Sequence, residues 1–293
     1  MINILNKYKK GLISFLIVLM LMPIGHALMI MNEHVFNQSK FIGAFFIGLL
    51  GVGCIAAGVI KNHNKAIATI LGLIAGILIW TGWVEFSFVW IAEKLKVLPL
   101  IENGAIATKP EYLVMMSSLG LLITLLVFFL FSQTRCQFFN WFQNILGMKG
   151  KINATGQPKR LIVMTTFIET IMILWTFYLV LLFVYDKDIA GDQHPATYIV
   201  AFGSLIWSAY LFVKLIRIPK FDYAIRYAVP TVVIFWNFVE VTGRWNLFKE
   251  IWVHPLEHWI ENITILIMLI GFTAYSVWET YQPTNKTNKN ASS

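Results

Sequence analysis

The chain has 293 residues, 58% of them hydrophobic and only 13% charged, with a formal net charge of +8. Soluble domains average about 45–50% apolar and about 25% charged, so a water-soluble globular fold is excluded. The basic residues are scattered over short loops, which excludes a nucleic-acid surface, and the two cysteines, Cys54 and Cys136, form neither a disulfide framework nor a CxxC redox pair.

An apolar run of about 20 residues crosses the hydrocarbon core as a helix. The sequence predicts eight such runs, at 11–32, 41–60, 66–92, 111–132, 161–185, 195–216, 224–246 and 256–280. They are continuous rather than alternating, and in lipid only helices or closed barrels satisfy the backbone. The predicted fold class is therefore all-α, a polytopic helix bundle. Three lysines precede the first run, as in a signal peptide. That run, Gly11 to Met31, is longer than an h-region of about 7–15 residues and reads as an uncleaved span.

Lys and Arg set orientation. With eight spans both termini share one side. That side holds all the basic residues except Lys40, Lys94, Lys96, Lys109, Lys187, Arg244 and Lys249. The reading is a cell (inner) membrane protein with both termini cytoplasmic, its basic loops facing anionic lipid. The bilayer is its expected partner.

The segment 133–160, with "MKGKINATGQPKR", reads as a cytoplasmic linker. It separates a first four-helix half, 1–132, from a second, 161–281. The tail 282–293 is polar, of low complexity and expected to be disordered. A shift of 155 sets "IWTGWVEFSFVWIAEK" on "IFWNFVEVTGRWNLFK", matching Glu85 with Glu240, Trp90 with Trp245 and Lys94 with Lys249. The expected architecture is a 4+4 parallel repeat about an axis along the membrane normal.

Ionisable groups inside spans are costly and usually face a bundle interior or a wet cavity. Most of those here fall toward the outer side. Glu240 and Arg244 are four apart, share a helix face and are expected to pair. Glu85 has Val89 where Glu240 has Arg244. Two like carboxylates in different surroundings can differ in proton affinity, which is how one site obtains an acid and a base. Glu85, Glu240 and Arg244 are thus the catalytic residues expected.

"HPLEHWIEN", 254–262, opens the last run. His254, Glu257 and His258, with His26 and His34 of the first run, offer imidazole and carboxylate donors for a divalent transition metal. If they form a site, the stretch must converge with the first run. The letters H-x-x-E-H also spell a zinc-protease motif, but Pro255 suits a first helical turn and would leave His254 off the helical face. The outer tryptophans read as an interfacial belt, or as an aromatic wall for a cationic or flat lipophilic ligand.

Trp236, Gly243 and the "PLE" of 255–257 resemble the small membrane-type carotenoid lycopene cyclases. The resemblance implies a duplicated bundle whose acids protonate a polyene, with His258 in place of the second acid. The leading functional expectation is a membrane-embedded enzyme acting on a lipophilic substrate by acid–base or metal-assisted chemistry. A proton-coupled or cation transporter and a non-catalytic membrane scaffold are the alternatives.

Overall fold

The structure is a computed structural model that describes residues 2–102, 105–131, 137–147 and 161–281. Nearly every apolar run is helical, as a backbone without water partners requires. The first half comprises α1 (Ile2–Phe36), α2 (Lys40–Ile60), α3 (Lys65–Ile79), a π-helical turn (Trp80–Glu85) continuing into α4 (Phe86–Leu95), then α5 (Pro110–Met116) and α6 (Leu119–Phe131). After α7 (Gln137–Ile145) come α8 (Ile162–Tyr185), α9 (Pro195–Leu215), α10 (Phe221–Arg244) and α11 (Trp259–Tyr281). Among the described residues six helical stretches are long and apolar enough to cross a membrane, and a seventh if α5 and α6, bent by 46°, count as one. The first of the six, Tyr8–Ile60, contains both α1 and α2.

Three details depart from the sequence reading. A small antiparallel hairpin, β1 (Leu100–Glu102) and β2 (Ala105–Thr108), follows α4. Part of the expected linker is the amphipathic helix α7. Residues 133–136 and 148–160 of that segment, Cys136 included, and the tail from 282 lie outside the described residues. The last helix starts at Trp259, because 254–258 forms turns in which the His254 carbonyl accepts from the amides of Glu257 and His258, both at 3.1 Å.

α1 and α2 double back on each other. Asn37 between them has φ 42°, and residues far apart in sequence reach one level of α3. Gly25 of α1 faces Ile77 and Thr81, while Gly51 of α2 faces Ile79 and Leu78. Small residues make the approach of α2 possible: Gly48 lies against the Trp83 indole, whose Nε1 donates to the Phe45 carbonyl at 3.2 Å.

The core runs along α3, α8 and α10, with Leu73, Ile173, Ile225 and Ile234 all at most 2% exposed. One end is tied by Lys40 to Glu93 at 2.7 Å and by Arg244 to Asp192 at 2.5 Å. At the other end the Asn62 side chain accepts from the Ile162 amide, and Lys9 bonds the Tyr275 hydroxyl. Within that half Arg226 of α10 makes a bidentate pair with Glu169 of α8, Nη2 to Oε1 at 2.7 Å and Nε to Oε2 at 2.9 Å. The break between α5 and α6 is held by Trp175 of α8, whose indole donates to Ser118 Oγ at 2.8 Å.

Candidate functional site

A cavity of about 350 Å³ opens among α1, α3, α5, α8 and α10, in the half of the bundle opposite the Glu169–Arg226 pair. Four elements deliver its carboxylates, imidazole and guanidinium. α1 brings His26 and the π-turn brings Glu85; α10 brings Glu240 and Arg244; the segment after α10 brings Glu250 and Trp252. Single π-turns inside α-helices recur at functional sites because the extra residue re-aims the side chains that follow. Here it ends on Glu85, 6% exposed, with Trp80 and Tyr178 beside its carboxyl.

Glu240 Oε1 accepts from the Trp236 indole at 2.6 Å and lies 3.8 Å from His26 Nε2. The other imidazole nitrogen, Nδ1, is 3.4 Å from the Met22 carbonyl. A carbonyl only accepts, so this contact is a hydrogen bond when the Nδ1 position carries the hydrogen. α1 also carries Pro23, which cannot donate to the carbonyl of residue i−4 and so loosens the turn below His26.

Aromatic rings form the walls. Trp236 packs on Trp252 with centroids 4.8 Å apart, and Tyr178 sits between Trp80 (5.9 Å) and Tyr112 (5.7 Å). Two wall groups are buried with no hydrogen-bond partner among the described residues: Trp252 Nε1 and the Tyr185 hydroxyl. A buried donor left unpaired costs about 1–3 kcal/mol. A ligand with an oxygen acceptor would recover that at either position.

The three catalytic residues expected from sequence thus reach one cavity, with a change of partner. Arg244 closes on Asp192 of the α8–α9 loop, Nε to Oδ1 at 2.5 Å, with its guanidinium 4.4 Å over the Tyr185 ring. Glu240 is held by Trp236 and His26. Arg244 is at the last turn of α10, and Asp192 meets it where the next loop folds over.

The metal expectation does not survive. His34, His254 and Glu257 are exposed, and His258 Nδ1 turns to Glu261, in the first turn of α11, at 3.5 Å. Only His26 of that set enters the cavity. Among the described residues no group of three or more His, Cys, Asp or Glu could hold a metal ion. The reason is local: with 254–258 in turns, His254 and Glu257 are left exposed instead of lining a helical face.

Sequence reasoning missed Tyr112, Tyr178, Tyr185 and Glu250. A signal existed for two of them. Leu174, Tyr178, Leu181 and Tyr185 recur at i, i+4, i+7 and i+11, one stripe of α8, and all four line the cavity.

Glu250, outside the apolar helices, packs against Gly243. Burial, and then the neighbouring Glu240 charge, raise its pKa above the usual carboxylate range, with His26 and Arg244 opposing. The folded protein therefore binds this proton more readily than the unfolded chain. Stability from this group is present at acid pH and is lost as pH rises through the raised value. Glu250→Gln should raise the melting temperature at weakly alkaline pH and flatten its fall from weakly acid pH upward. An unchanged pH profile would count against a buried carboxyl there.

Comparisons of the chain with known protein families, with characterised proteins and with solved structures give no match, so none of them backs the resemblance to lycopene cyclases.

Proposed function

We propose that this chain is a polytopic enzyme of the cell membrane that carries out acid–base chemistry on a lipophilic substrate. The observation that carries the reading is the meeting of Glu85, His26 and Glu240, from three helices, in one aromatic-walled cavity. Glu85 and Glu240 are the acid and base, His26 moves the proton between them, and Arg244 positions the cavity rim through Asp192. The carboxylates and ring faces suit a substrate that is cationic or becomes so during reaction, with an oxygen that meets Trp252 or Tyr185.

Eight crossings are part of this reading. The hairpin of α1 and α2 divides Tyr8–Ile60 into two spans, and the bent pair α5–α6 supplies another. The 4+4 repeat draws support from matched packing: α2 lies on α3 as α9 lies on α10, and α3 lies on α8 as α10 lies on α1. The basic loops favour cytoplasmic termini. A cysteine replacing Asp188 should react with an impermeant reagent on intact cells, and one replacing Lys61 only after permeabilisation; the reverse pattern refutes the orientation.

The reaction is tested by mass spectrometry of lipids from cells making the wild type, Glu85→Gln or Glu240→Gln. The enzyme reading expects a lipid species consumed and another formed by the wild type, with at least a tenfold loss of conversion in each variant. An unchanged lipid profile sinks it. A proton-coupled carrier is the second reading. It is favoured by the second charged pair, Glu169–Arg226, in the opposite half of the same two helices, α8 and α10. Solute uptake that dissipates a proton gradient in vesicles, with no lipid conversion, would establish it. Neither activity would leave the scaffold.

A further inference from the structure

The other end of the bundle carries a second concavity, of about 480 Å³, with different chemistry. It lies where α9 turns into α10, under α7. Trp141 and Asn144 of α7, Lys214 of α9, Lys220 of the corner, and Tyr223 and Tyr227 of α10 line it. Its polar side chains are ammonium, amide, phenol and indole groups. Every one can donate a hydrogen bond, and no carboxylate is among the described lining residues. Asp222, the nearest acid in sequence, is not part of the wall. Neither lysine has a carboxylate within ion-pair distance among the described residues. Their ammonium groups are instead held over rings, Lys214 at 4.3 Å from the Tyr210 centroid and Lys220 at 6.0 Å from that of Tyr223.

The depth of this pocket is fixed by α7. Trp141 and Phe142 pack on Trp207 of α9 at 6.0 and 6.4 Å, and Gln143 Nε2 donates to the Leu130 carbonyl at the end of α6 at 2.7 Å. An amphipathic helix tied across the ends of two apolar helices, with Trp and Tyr beside it, marks the headgroup level. Two uncompensated cations at that level, on the side richer in Lys and Arg, call for an anion. A phosphate meets both charge and donors, since it offers several acceptor oxygens to ammonium and phenol groups at once.

We propose that this pocket binds the phosphate of an anionic phospholipid headgroup, with Lys214 and Lys220 as the charge partners. The site is separate from the acid–base cavity and stands whether or not that cavity catalyses anything.

The test uses the full-length protein in zwitterionic phosphatidylcholine micelles. Phosphatidylglycerol is titrated in, and binding is read by native mass spectrometry and by melting temperature. The wild type should retain phosphatidylglycerol and melt higher. Lys214→Gln with Lys220→Gln should weaken binding by about tenfold to thirtyfold, from the charge of two lysines near a membrane surface. Its melting temperature in phosphatidylcholine alone should not change, since both lysines are exposed. Asn144→Leu, which keeps the charge, should weaken binding by a smaller factor. Lys61→Gln with Lys65→Gln, on the same side but outside the pocket, should not. Equal weakening by the control pair means general surface charge and overturns the site, as does full binding by Lys214→Gln with Lys220→Gln. If inorganic phosphate alone stabilises the wild type and blocks phosphatidylglycerol, while the Lys214/Lys220 variant ignores it, the occupant is free phosphate and the lipid assignment is overturned.

Discussion

Replacing Arg226 with leucine should lower the stability of the purified protein by about 3–5 kcal/mol, the cost of removing one charge of a buried ion pair. Glu169 is 6% exposed on its side chain and Arg226 13%. They meet through two parallel bonds, at 2.7 and 2.9 Å. With the guanidinium gone, the carboxylate has to be neutralised or hydrated inside the bundle. The informative comparison is therefore the double variant, Glu169→Gln with Arg226→Leu. It should recover most of the loss, because two neutral groups of similar size carry no uncompensated charge. Thermal melts of the four proteins in one detergent decide the matter. Additive losses would mean that the two residues act on stability separately. The same cycle at Asp192 and Arg244 should give a smaller coupling, because those side chains are 32% and 24% exposed and water screens them.

Gly82→Ala should be nearly as damaging, for a steric reason. A Cβ there would lie 2.5 Å from the Gly48 amide nitrogen and 2.7 Å from the Ala44 carbonyl oxygen. Both obstacles are backbone, so no rotamer change relieves them. α2 would have to retreat from the π-turn and give up the Trp83–Phe45 hydrogen bond. Overpacking of this kind costs about 1–3 kcal/mol, and more when main chain must move. Because the π-turn that α2 packs against carries Glu85, the cavity should deform with it. Gly53, on the opposite face of α2, has nothing within 4 Å of an added Cβ. Gly53→Ala should be neutral or stabilising by up to about 1 kcal/mol, since alanine is the better helix former. Equal melting temperatures for the two variants would refute the close approach at Gly82.

Much of this could be read from the chain because membrane helices are written as long apolar runs. Their positions, and the gathering of Glu85, Glu240 and His26 toward one side, were legible from hydropathy and spacing alone. What spacing could not give was partnership across the fold. The i, i+4 rule proposed Arg244 for Glu240, but the arginine lies at a helix end where a loop residue, Asp192, reaches it. The hairpin after α4 was signalled by Asn103-Gly104 in the sequence, a strong short-range hairpin dipeptide, yet seven strand residues in a greasy chain make a weak pattern. "HPLEHWIEN" misled because helical spacing was applied to residues that form turns.

The π-turn also limits how far the two halves can be superposed as text. A gapless shift matches Glu85 with Glu240, but past those residues Phe86–Leu95 remains helical, while α10 ends at Arg244 and Lys249 lies in a loop. A π-turn amounts to one surplus residue, and each residue of a helix advances about 100°. The stretch before Trp80 and the stretch after Glu85 are thus two rods out of phase on one axis. Deleting one residue between them would bring the rods into phase and swing everything beyond the cut about a quarter turn. The carboxylate would then leave the cavity without a single substitution. In this chain the placement of an acid depends on an indel-sized irregularity, which a substitution scan would never sample.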